Sequence, residues 1–260
     1  MRKTLVTALL LIGCSVAQAT QQLQLVGAGS GNSMGGVYTS PYDILVGGAG
    51  GATLQLICDD FKTDISLNQT WSANETTLTQ ITASDVQGLK FGSVTNAVAD
   101  YATAALLAAE LMSLPNQTGQ NATLAGEYSY ALWAVFDPAL LSLPYSSSGY
   151  YTGYGYLSST QMSAIQTDLS TAQAAVANVI NTTTDTVNLS SLFVGQFPLE
   201  SLTIYTPSPT SASQEFLAVT IDPPPPAAAE PAYPGVLALD LFVVVALIAF
   251  LRRRITGTMN

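Results

Sequence analysis

Cys58, Asp59 and Asp60 stand side by side, and this thiol with two carboxylates is the densest set of potentially reactive groups in the 260-residue chain. A thiolate is the nucleophilic form of cysteine, and neighbouring carboxylates raise a thiol's pKa, which argues against a reactive Cys58. With Asp64, the two aspartates offer the oxygen ligands that a hard cation such as calcium takes. No EF-hand or repeat spacing accompanies them, and on a strand Asp59 and Asp60 would point to opposite faces. They read as turn or surface acids, and no metal ligand is assigned. The chain has no histidine, which removes Ser–His and Cys–His pairs and imidazole ligands for zinc. Carboxylates alone can hydrolyse a glycoside when two stand at a defined separation, but nothing in the sequence selects a pair. Lys62 and Lys90 could act as a base, or form an isopeptide crosslink beside an acid, if buried; both read as solvated. Residues 47–51 are glycine-rich yet lack the Lys-Ser/Thr that completes a phosphate cradle. No catalytic residue and no cofactor site follows.

The elements that must position these groups are legible from periodicity. Short apolar pieces, Ile44-Leu45-Val46 and Thr53 to Ile57, alternate with glycine turns between residues 23 and 56 and read as strands. Residues 95–112 carry Val98, Ala102, Ala105, Leu106 and Ala109 at helical spacing and end near Pro115. A second helix is expected over 121–136, stopping before Pro138. A third follows Ser158-Ser159, with Met162, Ile165, Leu169, Ala172, Val176 and Val179 on one stripe. Between these two, residues 145–156 interleave tyrosines with Ser, Gly and Thr, and read as a loop whose rings could pack inertly or stack on sugars. Residues 202–205 and 215–221 return to strand composition. The order is β, α, β, an α+β class: a β-rich N-terminal part, about three helices in the middle, C-terminal strands, and a C-terminal transmembrane helix.

Charge narrows the partners. Between residues 20 and 229, Lys62 and Lys90 are the only cations against fifteen carboxylates. Nucleic acid is excluded, because its binding relies on Lys and Arg to neutralise phosphate. Cationic partners or bridging divalent ions are easier to accommodate, and an acidic surface also simply stays hydrated. Cys58 is the only cysteine beyond Cys14, so it is either buried as a small apolar residue or open to intermolecular pairing. Six Asn-x-Ser/Thr triplets, at Asn68, Asn74, Asn116, Asn121, Asn181 and Asn188, fit glycosylation or an abundance of Ser and Thr.

Both ends read as addresses. Arg2 and Lys3 precede an apolar run over 5–12, and Ala17-Gln18-Ala19 fits signal peptidase, so residues 1–19 form an expected signal peptide. The competing reading is a lipobox, Leu11-Ile12-Gly13-Cys14. Residues 20–222 form the exported globular domain, and 223–234 a Pro-rich linker that would extend as polyproline II. Residues 235–251 form an apolar helix reaching about 26 Å, slightly short of a hydrocarbon core of about 30 Å. Asp240 interrupts it, and residues 252–260, with Arg252, Arg253 and Arg254, form a cytoplasmic tail. These ends resemble those of PEP-CTERM proteins, bacterial proteins sorted by an exosortase. The tripeptide here is Ala229-Glu230-Pro231, lacking the first proline. The resemblance implies processing near Glu230 and Pro231, with signal peptidase and an exosortase-like enzyme as partners. It also implies inner-membrane transit, transient or permanent, and delivery to the cell surface or an exopolysaccharide matrix.

Within the domain, Ile57-Cys58-Asp59-Asp60-Phe61 and Tyr128-Ser129-Tyr130-Ala131-Leu132-Trp133 resemble elements of a group of PEP-CTERM surface proteins. They are also faintly similar to the thioester domains of bacterial adhesins, in which a cysteine bonds to a glutamine. Ser129 occupies that glutamine position, so the resemblance implies that no internal thioester forms. Trp71 and Trp133 are expected in the core. The expectation is a non-enzymatic envelope or matrix protein, structural or adhesive. The alternatives are a polysaccharide hydrolase using paired acids and a permanently anchored binding module.

Overall fold

The computed structural model describes residues 19–221 apart from 30, 116, 117 and 196. Six antiparallel strands close into a barrel: β1 (Ala19–Gly27), β2 (Tyr42–Val46), β3 (Ala52–Cys58), β4 (Thr70–Leu78), β5 (Phe197–Pro207) and β6 (Phe216–Ile221). Around the wall the order is β5-β6-β3-β2-β1-β4, and β4 pairs back onto β5 from Leu202 opposite Leu78 to Pro207 opposite Ala73. Closure leaves no free edge among these six strands, which is how a barrel avoids pairing with other chains.

The two-residue period of the strands builds two cores. Leu23, Ile44, Leu56, Cys58, Ala73 and Phe216 turn into the barrel, where Trp71 stacks on Phe216 with ring centroids 5.7 Å apart. Their neighbours Ile57, Leu202, Ile204 and Leu217 turn outward and join a larger core beneath the helices. Those helices are a single turn, α1 (Ala83–Val86), then α2 (Ala97–Ser113), α3 (Gln120–Phe136) and α4 (Ser159–Val179). The long α4 starts at a capping box, in which Ser158 accepts from the backbone of Gln161 and Gln161 reaches back. It buries Met162, Ile165, Leu169, Ala172 and Val176 and leaves its other face wet. By contrast α2 is buried on nearly all sides, and its many alanines let α3, α4 and the barrel wall approach closely.

The tyrosine-rich segment is not an irregular loop. Tyr145–Ser146, Gly149–Tyr151 and Tyr156–Leu157 form a small meander, with Tyr145 opposite Tyr150 and Tyr151 opposite Tyr156. Each pair brings its rings within 5.1 and 5.3 Å, the cross-strand aromatic contact that holds short strands. Helical periodicity cannot detect this, and the glycines hid it by resembling loop punctuation.

Ala19 is the first residue of β1 and is exposed. Ala17, Glu230, Pro231, Arg252, Arg253 and Arg254 lie outside the described residues, as do the linker and the apolar segment 235–251. Among the described residues no helix is long and apolar enough to cross a membrane.

Candidate functional site

The Cys58-Asp59-Asp60 string leaves the end of β3 and goes straight into the interior: all three residues are buried. Trp133 on α3 donates its indole N–H to the Cys58 carbonyl at 2.9 Å, and the Cys58 N–H donates to Ser40 Oγ at 3.1 Å. The Ser40 N–H in turn meets Ser129 Oγ at 3.1 Å. Ser129 is therefore engaged in a hydroxyl chain linking α3 to the strand end, and its own hydroxyl donates to the Ala125 carbonyl at 2.7 Å. The Cys58 thiol donates to the Asp60 carbonyl at 3.2 Å. Burial pushes its pKa well up, with Asp59 adding to the effect. We expect native Cys58 to resist iodoacetamide at neutral pH and to react fully only in denaturant, read by intact mass; labelling of the folded protein would contradict its burial.

The acids do not behave as surface acids. Asp59 and Glu215 are fully buried, and Asp60 nearly so. Glu215, just before β6, accepts from Tyr101 OH at 2.5 Å, Thr206 Oγ1 at 2.5 Å and the Lys90 backbone N–H at 3.0 Å. Three donors thus converge on one carboxylate. Neither Asp59 oxygen has a hydrogen-bond partner. Burial raises the Asp59 pKa well above the usual carboxylate range, and Glu215 raises it further. A proton held on Asp59 would have the Glu215 carboxylate beside it as an acceptor.

Lys90 overturns the expectation that both lysines of the domain are solvated. Its side chain is 13% exposed, and its ammonium reaches Asp60 Oδ2 at 2.5 Å, the Ser213 carbonyl at 2.7 Å and Thr63 Oγ1 at 3.1 Å. All three of its protons have acceptors. Lys62 does stay in water, pairing with Asp137 at 2.9 Å. The second Asp60 oxygen accepts the Lys62 backbone N–H at 3.0 Å. Among the described residues no three His, Cys, Asp or Glu side chains converge as metal ligands.

Above this network a cavity of about 630 Å³ opens at the barrel mouth. Its walls include Tyr38, Tyr42, Phe61, Trp133 and Tyr154, and its polar groups are Asp60, Asp64 and Gln214. Trp133 and Tyr42 are buried, whereas Tyr38 and Tyr154 are about three-fifths exposed. Gln214 is almost fully buried and donates Nε2 to the Asp60 carbonyl at 3.1 Å, leaving Oε1 without a partner. Trp71, by contrast, belongs to the barrel core alone.

Sequence reasoning singled out Cys58, Asp59, Asp60 and Trp133, and the structure brings them together. It missed Ser40, Tyr101, Gln214 and Glu215 and read Lys90 as solvated; the contacts of these residues span up to 154 positions. One signal was present: Asp59 and Asp60 lie between the apolar Leu56-Ile57 and Phe61, where two acids demand buried partners and Lys90 is one of two cations available.

No family model matches this sequence, and no curated protein matches it. In fold the chain is distantly similar to the N-terminal thioester domain of a surface protein from Clostridium perfringens. That match has 9% identity over 78% of this chain and 100% of the other, with a TM-score of 0.43. It is also similar to the N-terminal domain of the Streptococcus pyogenes pilus tip adhesin Cpa, at 10% identity over 78% and 94%, with a TM-score of 0.41.

Proposed function

We propose that this chain is an exported, non-enzymatic envelope or matrix protein, structural or adhesive, that works by contact through the barrel-mouth cavity. In this reading signal peptidase cuts after Ala19, which trims β1 by one residue. An exosortase-like enzyme then acts near Glu230 and Pro231, after the apolar helix ahead of Arg252, Arg253 and Arg254 has paused in the inner membrane. The carrying observation is the cavity itself: aromatic walls interrupted by a few polar side chains, the anatomy of a binding site.

The hydrolase reading has one observation in its favour, since Asp60 and Asp64 both line the aromatic cavity. Against it, both Asp60 oxygens are engaged by Lys90 and the Lys62 backbone. The Asp59–Glu215 pair has no exposed surface from which to reach a substrate.

The test replaces Tyr38 and Tyr154, exposed rings the fold does not need, with alanine in the native host. Secretion should continue, intact mass should show both ends removed, and retention in the surface or matrix fraction should fall several-fold. Unchanged retention would count against the cavity. Polysaccharide cleavage abolished by Asp64→Asn would replace this reading with the hydrolase.

A further inference from the structure

We infer that a hard divalent cation of the calcium type binds in the cleft between α3 and α4, with Glu127 and Asp168 as its carboxylate ligands. The site is separate from the barrel mouth and independent of the reading of that cavity. The cleft, of about 600 Å³, is walled by Leu124 and Glu127 of α3 and by α4 from Ser159 to Asp168. Its polar side chains are two carboxylates and the hydroxyls of serines and threonines, with no side-chain nitrogen among them. Glu127 carries the argument. It is only 7% exposed and lines the cleft, yet among the described residues its carboxylate has neither a hydrogen-bond donor nor a cation. An anion held this far from water without a partner is costly.

Nothing in the domain neutralises this charge, because Lys62 and Lys90 are bound to Asp137 and Asp60. Glu110 on α2 adds to the field. Burial and then Asp168 raise the pKa of both Glu110 and Glu127, and burial followed by Glu110, Asp168 and Glu127 pushes the Tyr128 phenol up to about 12. Three like charges, one from each long helix, therefore stand close to one another and to one phenol. Calcium takes roughly six to eight oxygen ligands in irregular geometry, whereas magnesium demands a near-ideal octahedron. Two carboxylates on separate helices, cleft hydroxyls and water supply the looser set. The Thr167 hydroxyl gives its proton to the Ser163 carbonyl at 2.8 Å, which leaves its lone pairs for such an ion. A divalent charge also offsets more of the three carboxylates than a monovalent one.

The experiment titrates the full chain, first stripped with a chelator, with calcium chloride or magnesium chloride by calorimetry, and with terbium, a luminescent calcium analogue. Calcium should bind saturably at one site with a Kd of about 10⁻⁴–10⁻³ M, as suits a site with few charged ligands. Magnesium should bind more weakly. Terbium should luminesce when tyrosine is excited, and Tyr128→Phe should dim that signal several-fold. Glu127→Gln and Asp168→Asn should each weaken calcium about tenfold. Glu200→Gln, an exposed acid on β5, should leave the affinity unchanged. Glu127→Gln should also raise the denaturation midpoint of the calcium-free chain, because it removes an unpartnered charge, so its lost binding is not misfolding. Asp168 is half-buried, and its variant tests the inference even if the Glu127 variant fails to fold. Calcium that does not bind saturably, that binds both variants as tightly as the parent, or that binds less tightly than magnesium overturns the inference.

Discussion

Replacing Lys90 with methionine is expected to destabilise the folded domain by about 3–5 kcal/mol, the cost of removing one partner of a buried ion pair. The ammonium is the only cation within the buried polar network, which holds Asp59, Asp60 and Glu215. Methionine fills similar volume, so the loss is electrostatic more than steric. Asp60 would be left with one backbone N–H, and Thr63 and the Ser213 carbonyl would lose their donor. That figure is a large share of the stability of a typical domain, about 5–15 kcal/mol. Urea unfolding of the variant should therefore show a much lower midpoint. The double change Lys90→Met with Asp60→Asn should recover a sizeable part, since it removes the stranded charge as well. If the single variant unfolds like the parent, Lys90 is solvated and the network described above is wrong.

The second large effect is on pH. An acid whose folded pKa is raised binds more protons when folded than when unfolded, so stability falls as pH rises from the unfolded pKa through the folded one. Asp59 shifts this way through burial and Glu215. Asp100 is pushed up to about 6 by burial, and Glu110, Glu127 and Asp168 also move up, each chiefly by burial. All five act in the same direction. The domain should thus be more stable near pH 5 than near pH 8, with each unit of upward shift at a buried site contributing about 1.4 kcal/mol. The half-exposed acids add less, because solvent screens them. Asp59→Asn supplies a permanent donor to Glu215 and should flatten much of the slope by raising stability at pH 8. Denaturation midpoints across this range decide the matter: a parent protein most stable at pH 8, or a variant as pH-sensitive as the parent, would show that Asp59 is ionised.

The helices were legible because their signals are local. Pro115 and Pro138 mark stops, Ser158 marks a start, and the stripe from Met162 to Val176 repeats every three or four residues. The strands were partly legible, but their closure was not: nothing near Leu78 announces that it will lie opposite Leu202. The candidate site shows the same limit more sharply. Cys58, Asp59 and Asp60 drew notice as a string, yet their solvation could not be read without Glu215 and Lys90, each supplied by a distant segment. Treating two acids in an apolar run as exposed was the error, and the apolar Ile57 and Phe61 on either side of them were the clue.

The barrel wall has a consequence for the order in which the chain can fold. Strands β1 to β4 come from the first third of the described residues, but the gap between β3 and β4 is filled only by the β5–β6 hairpin near the end. Glu215 arrives with that hairpin, so Asp59 and Lys90 remain hydrated until the last segment docks. Pairings this distant in sequence form slowly. A polypeptide still emerging from its synthesis would thus stay open and unlocked, and the interior would seal only after residue 221 had appeared.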